Sequence, residues 1–188
     1  MADPVRLVDP PATHSPITDA PSGQQQFTRP WVDYNQQVSD LLNRVAANAG
    51  VTDGSNAGAG KVGEWLSSVV ASGSALANNI PVNVTTLPLT AGDWDITGEV
   101  WFTLGSGPTG SVQAGISLSS AAFPGAPGTG SRIVQSWTHQ SGAPQVLGLA
   151  SARMSLSAAG TAYLIAAVGY SSGSAPVAWG RIEARRVR

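Results

Sequence analysis

The sequence predicts a mainly β protein: an antiparallel, jelly-roll-like β-sandwich of about eight strands, preceded by an extended Pro-rich arm and one short helix. Three observations predict it. Residues 93–104 alternate between faces, with Trp94, Ile96, Gly98, Val100, Phe102 and Leu104 on one side and Asp93, Asp95, Thr97, Glu99, Trp101 and Thr103 on the other. That is the period of a long strand with one buried face. Shorter stretches of the same kind follow, separated by turn-forming sequences such as Gly105-Ser106-Gly107-Pro108 and Ser171-Ser172-Gly173. Only 11% of the residues are charged and 22 are glycine, against about 25% charged in an average domain. Low charge with many small residues suits β-structure and subunit contacts, and is the opposite of a disordered chain's bias.

Residues 1–27 hold Pro4, Pro10, Pro11, Pro16 and Pro21. Proline lacks the N–H and clashes with the preceding turn, so this segment is not helical. Val5, Leu7, Val8 and Ile17 lie between the prolines. A purely solvating tail does not need them, so the segment reads as an extended anchoring arm that orders on another protein. Pro-rich chain loses less entropy on docking.

Residues 28–49 read as an amphipathic or coiled-coil helix. Thr28 is a suitable cap and Pro30 is tolerated in a first turn. Trp31, Tyr34, Val38, Leu41 and Val45 then recur every three or four residues, the spacing of a coiled-coil seam. So short a seam is not stable alone. It needs partner helices, or its own domain to lie on, and Leu42 broadens the stripe enough to leave that second option open. Residues 50–61 are a Gly/Asn/Ala-rich linker. Asp53-Gly54-Ser55-Asn56 is a turn and lacks the ligands of a calcium loop.

Residues 62–188 form the sandwich, or knob. Val62 to Ala71 fits strand or helix, and its β-branched pairs favour strand. Val82 to Leu89 and residues 93–104 come next. Val112, Ala114, Ile116 and Leu118 mark another strand, and Arg132 to Thr138 a further one. Val146, Gly148, Ala150, Ala152, Met154 and Leu156 are assigned to one buried face. Ala162, Leu164, Ala166 and Val168 repeat the alternation, but Tyr163 and Ile165 make the other face apolar too. Outer faces of antiparallel sheets are normally polar. A two-faced strand therefore implies cover, from another subunit or from the helix. The last strand, Val177 to Val187, carries Arg181, Glu183, Arg185 and Arg186. It reads as a charged edge strand, with Glu183 able to pair with Arg181 and Arg185.

Little here speaks for catalysis, and no cofactor is expected. His14 sits in the arm and His139 near a turn, too far apart in sequence to form a metal cluster. Cysteine is absent, which excludes disulfides and thiolate metal sites. No nucleophile elbow, phosphate loop or zinc motif occurs. Asp93, Asp95 and Glu99 share one strand face, where alternate residues stand about 7 Å apart; a pair of acids at that range could serve a glycosidase, but they follow a turn and read as a solvated face. The net charge of −1 offers no general attraction to nucleic acid. No apolar run is long enough to insert in a membrane, and the N-terminus lacks the pattern of a secretion signal. Trp101, on the polar face of its strand, is a surface-contact residue for a subunit or a sugar, or a rim aromatic covered by a neighbouring loop. Asn83-Val84-Thr85 matches a glycosylation sequon by chance.

Residues 51–55 (VTDGS) and 60–64 (GKVGE) resemble the segment before the knob of small tailed-bacteriophage appendage proteins. Residues 85–98 (TTLPLTAGDWDITG) are similar to a strand–turn–strand of that knob, and residues 115–119 and 180–186 to its later strands. The resemblance covers residues 50–188. It implies a homotrimeric jelly-roll module in a tail fibre, head fibre or capsid decoration, located in the virion and assembled in the host cytoplasm. Implied partners are other virion proteins, such as a tail adaptor, tail tube or capsid, and a host surface glycan. The alternative class is a jelly-roll carbohydrate-binding protein or enzyme.

Overall fold

The computed structural model describes residues 17–19, 25–27, 29–48, 55–107, 109–126, 128–136 and 144–187. The chain divides into two compact units, Met1–Ala49 and Gly50–Arg188. In the first, β1 (Ile17–Asp19) and β2 (Gln25–Phe27) pair antiparallel, Ile17 opposite Phe27. The helix α1 spans Arg29–Asn48. Val5, Leu7 and Val8, assigned to the arm, lie outside the described residues, as do His14 and His139.

The second unit carries β3 (Trp65–Ala75), β4 (Val82–Leu89), β5 (Gly92–Thr103), β6 (Thr109–Ser117), β7 (Gly130–Gln135), β8 (Pro144–Leu156), β9 (Gly160–Tyr170) and β10 (Val177–Arg186). They form two four-stranded antiparallel sheets, ordered β3-β10-β5-β8 and β4-β9-β6-β7. The pairings are nested. β6 meets β7, β5 meets β8, β4 meets β9 and β3 meets β10, as in one long hairpin. Rolling that hairpin up brings β10 beside β5 and β9 beside β6. This is the jelly roll, the fold class that the alternation predicts.

The core lies between the sheets. From β5, Trp94, Ile96, Val100 and Phe102 are fully buried; Val112, Ala114 and Ile116 of β6, Leu164 and Val168 of β9, and Ile182 and Ala184 of β10 meet them. Each large side chain so buried contributes about 1.5–3 kcal/mol before the cost of ordering the chain.

Five expectations need correction. First, the phase of β8 breaks. The register against β5 shifts between Ile96 and Gly98, where Leu149 and Ala152 flank an irregularity. Leu147 and Leu149 are buried before it, Ala152 and Met154 after it. Val146, Gly148 and Ala150 therefore face outward, because an inserted residue turns every side chain beyond it to the other face. Second, β10 is no edge strand: it pairs with β3 on one side and β5 on the other. Third, Asp93 is buried rather than solvated. Its carboxylate accepts from Arg153 at 2.9 Å and from the Ser155 hydroxyl.

Fourth, the outer face of β9 is covered by the chain itself. Ile165 is 0% exposed within this one chain. Its register partners are Gly115 on β6 and Asn83 on β4. A Cβ at Gly115 would stand 2.8 Å from the Phe123 ring, so the β6–β7 connection folds back over this face. Asn83 clamps that connection. Its Nδ2 donates to the Ser120 hydroxyl at 2.8 Å and its Oδ1 accepts from the Ala121 N–H at 2.7 Å. The two-faced strand thus needs no second subunit. Fifth, Leu118, expected in the buried stripe of β6, sits exposed just past its end.

Candidate contact surfaces

On α1, Trp31, Tyr34, Val38 and Leu41 are half-buried, and Trp31 and Tyr34 meet edge to face with ring centroids 5.8 Å apart. Val45, the last residue of the same stripe, is 62% exposed, and Leu42 is exposed beside it; Val32, near the start of the helix and on another face, is exposed too. The helix holds its apolar spacing, but its C-terminal half presents apolar side chains to solvent. Ile17, assigned to the arm, instead pairs in the small hairpin.

The second surface is the outer face of the sheet β3-β10-β5-β8. The register arranges its outward residues in rows across the four strands. Trp65, Arg185, Asp95 and Arg153 form one row. Val69, Arg181, Glu99 and Gly148 form another. One step further along the strands, Trp179, Trp101 and Val146 stand side by side. Val69, Trp101 and Val146 are 65%, 40% and 44% exposed, and Trp179 is half-buried. Trp101 is thus not an isolated rim aromatic. Trp179 is also outward because Ala178 and Gly180 occupy the inward phase of β10, a relation already legible in the alternation. Val146 was hidden by the phase break in β8.

Part of the charge beside this apolar band is paired. Arg181 Nε donates to Glu99 at 3.0 Å and its Nη1 to Glu183 at 2.8 Å, all three partly exposed. Such pairs contribute about 0–1 kcal/mol and mainly set side-chain orientation. Arg186, the one C-terminal arginine on the inward phase, behaves differently. It is buried, stacks 4.3 Å above the Trp94 ring and donates from Nε to Glu64 at 2.9 Å. Its Nη1 reaches the Ala91 carbonyl at 2.7 Å, and its Nη2 donates to the Thr90 hydroxyl. Glu64 also accepts from the Gly60 N–H at 2.8 Å. Gly60 and Gly63 adopt φ of 80° and 87°, which lets the chain turn tightly enough to bring Glu64 beside its own loop. This buried, hydrogen-bonded ion pair fastens residues 57–64 to the last strand.

Among the described residues no cluster of His, Cys, Asp or Glu could hold a metal, and no helix is long and apolar enough to cross a membrane. Of the three carboxylates Asp93, Asp95 and Glu99, two are held in ion pairs: Asp93 with Arg153 and Glu99 with Arg181.

No protein family matches the sequence, and no curated protein does. Solved structures of infectious bursal disease virus are similar in fold. The Gx strain gives a TM-score of 0.44 at 12% identity over 74% of this chain and 37% of that one. The VP2 subviral particle gives 0.44 at 13% over 74% and 36%. The Gt strain gives the same TM-score, identity and shares as the subviral particle. This chain spans little more than a third of the length of those chains.

Proposed function

We propose that this chain is a structural component of a virus particle: a trimeric bacteriophage tail appendage, fastened to the particle by its N-terminal arm and displaying its knob towards the host surface. The apolar stripe of α1 carries the reading. Val45 and Leu42 are exposed on a helix whose stripe runs at heptad spacing, and burying such a stripe between copies of the same helix removes it from water. The division of labour supports it as well. The knob has a complete core of its own, whereas the N-terminal unit combines Pro-rich chain, a two-strand hairpin and a single helix. A self-sufficient knob beside a unit that leaves apolar surface unmet suits an appendage with one anchored end and one free end. The engaged carboxylates favour a structural role over catalysis.

Sedimentation equilibrium of the full chain tests the assembly. Three copies per particle in solution are expected, and a monomer at high protein concentration overturns it. Deleting residues 1–27 is expected to leave a folded knob that is missing from purified virions. Normal incorporation of that truncation removes the anchoring role. Labelling the chain in electron micrographs of the particle separates the tail reading from a head fibre or capsid decoration.

A further inference from the structure

We propose that the open edge of β3 pairs with the β3 edge of a second copy, antiparallel about a twofold axis at Ser67. The inference goes beyond the proposed function, since it needs neither the arm nor the helical seam. Among the described residues the knob has four edge strands, β3 and β8 in one sheet and β4 and β7 in the other. An edge strand exposes a row of N–H and C=O groups, and proteins blunt that row with shortness, proline, charge or bulges. Three of the four edges are blunted. β8 starts at Pro144, carries Arg153 and faces the break in register with β5. β4 holds Pro88 and an irregularity between Asn83 and Thr85. β7 has only six residues and carries Arg132. On β3, by contrast, Trp65 to Val70 hold no charge and no proline, and their register against β10 is unbroken. The Ser68 hydroxyl is hydrogen-bonded to that of Thr85 at 2.6 Å, which fixes the inward side of the strand to β4.

The backbone phase shows which groups point away. The Arg186 N–H donates to the Glu64 carbonyl at 2.9 Å. Bonding residues alternate along an antiparallel strand, so Leu66, Ser68 and Val70 direct their backbone groups to β10. Trp65, Ser67 and Val69 direct theirs outward, and their side chains are exposed, Trp65 by 40% and Val69 by 65%. A second copy centred on Ser67 sets Ser67 against Ser67, and Trp65 of each copy against Val69 of the other. Each such pair exchanges two backbone hydrogen bonds, and each exposed apolar side chain gains an aromatic or β-branched neighbour on its own face. Either neighbouring register sets Trp65 or Val69 opposite Ser67 instead. The strand is thus complementary to itself, as an isologous contact requires, and an uncharged edge selects no charged partner. Its size sets its strength. Six residues span about 20 Å in a single strand's width, well short of the about 800 Å² that each partner gives to a stable interface. Single chains in dilute solution therefore stay apart, and the contact fills where copies are crowded. A threefold assembly has no twofold between its own members, so β3 joins copies from different assemblies.

The test is disulfide trapping in the full chain, which has no cysteine of its own. In this register the two Ser67 Cα atoms stand about 5.5 Å apart, within disulfide range. Ser67→Cys treated with oxidised glutathione is expected to form a two-chain species on non-reducing gels. It should do so at least tenfold faster than Ser151→Cys, an exposed position on the other edge strand of the sheet. Adding Val69→Lys to Ser67→Cys should slow trapping at least tenfold. Circular dichroism of each variant reports folding separately. The pairing is overturned by the absence of a two-chain species, by an equal rate for Ser151→Cys, or by an unchanged rate with Val69→Lys. Sedimentation of the oxidised Ser67→Cys chain keeps this contact apart from the proposed trimer. Six or more copies per particle support both, and two copies sink the trimer alone. Three copies, with every cross-link inside one assembly, overturn the twofold.

Discussion

The two units solve the problem of apolar surface in different ways. The knob buries Trp94, Phe102, Ile116, Leu164 and Ile182 between its own sheets, and even the outer face at Ile165 is roofed by the β6–β7 connection. The helix of the first unit keeps Val32, Leu42 and Val45 in contact with water. Both stretches are amphipathic in sequence. A sheet folded on itself supplies its own second layer, whereas a lone helix must borrow one. Where a chain leaves apolar residues unmet is therefore informative only after its internal cover has been accounted for.

The largest expected effects fall on the knob's core. Phe102→Ala removes a fully buried ring and should cost about 3–5 kcal/mol in denaturant unfolding. Removing residues 1–49, by contrast, should leave the knob's unfolding midpoint unchanged. A truncated knob that melts far below the full chain would break the comparison, because its core would then depend on the first unit.

Next comes the buried pair that fastens residues 57–64 to β10. Glu64→Ala leaves Arg186 buried under Trp94 without its carboxylate. An uncompensated buried charge costs about 3–5 kcal/mol. Glu64→Gln keeps acceptors for Arg186 Nε and the Gly60 N–H and should lose less. If both variants unfold at the wild-type midpoint, the lock is not part of the knob's stability.

A smaller effect is expected at Asn83. Asn83→Ala deletes both hydrogen bonds to the β6–β7 connection. The loss should be about 1–3 kcal/mol, with faster amide exchange at Ala121. An unchanged exchange rate there would mean that Phe123 alone holds the cover.

How much of this was legible follows from the range of each interaction. Strict alternation placed residues 93–104 and the phase of β10 well, though not the position of β10 in its sheet, because period two is a local property of the chain. The helix was legible for the same reason. The phase break in β8 was not, since VLGLASARMSL supports either phase until β5 is laid beside it. The larger leucines Leu147 and Leu149 were the available signal, being costlier to expose than Val146 or Gly148. Arg186 could not be told from Arg185 by type. Only its inward phase separated them, and its partner Glu64 lies at the other end of the knob. The cover over Ile165 depended on a Gly115–Phe123 contact across a loop, which no periodicity records. Of the candidate surface, Trp101 was visible, while its neighbours Trp179 and Val146 joined it only through register.

The smallest expected effect on the fold is the one that most sharpens the contrast between the units. Leu41→Asp puts a charge in the half-buried part of the α1 stripe, one turn before the exposed Val45. The knob's unfolding free energy should shift by less than about 0.5 kcal/mol, as for a substitution remote from its core. The assembly should respond strongly, because a carboxylate buried in a helical seam is left without a partner. Sedimentation should then show monomers where the proposed assembly of the parent chain gives trimers, while the knob's near-ultraviolet dichroism stays the same. Leu41→Met keeps volume and apolarity and should retain the trimer. If Leu41→Asp remains trimeric, the contacts between copies lie in the knob, and the exposed helix stripe must be met by the particle instead.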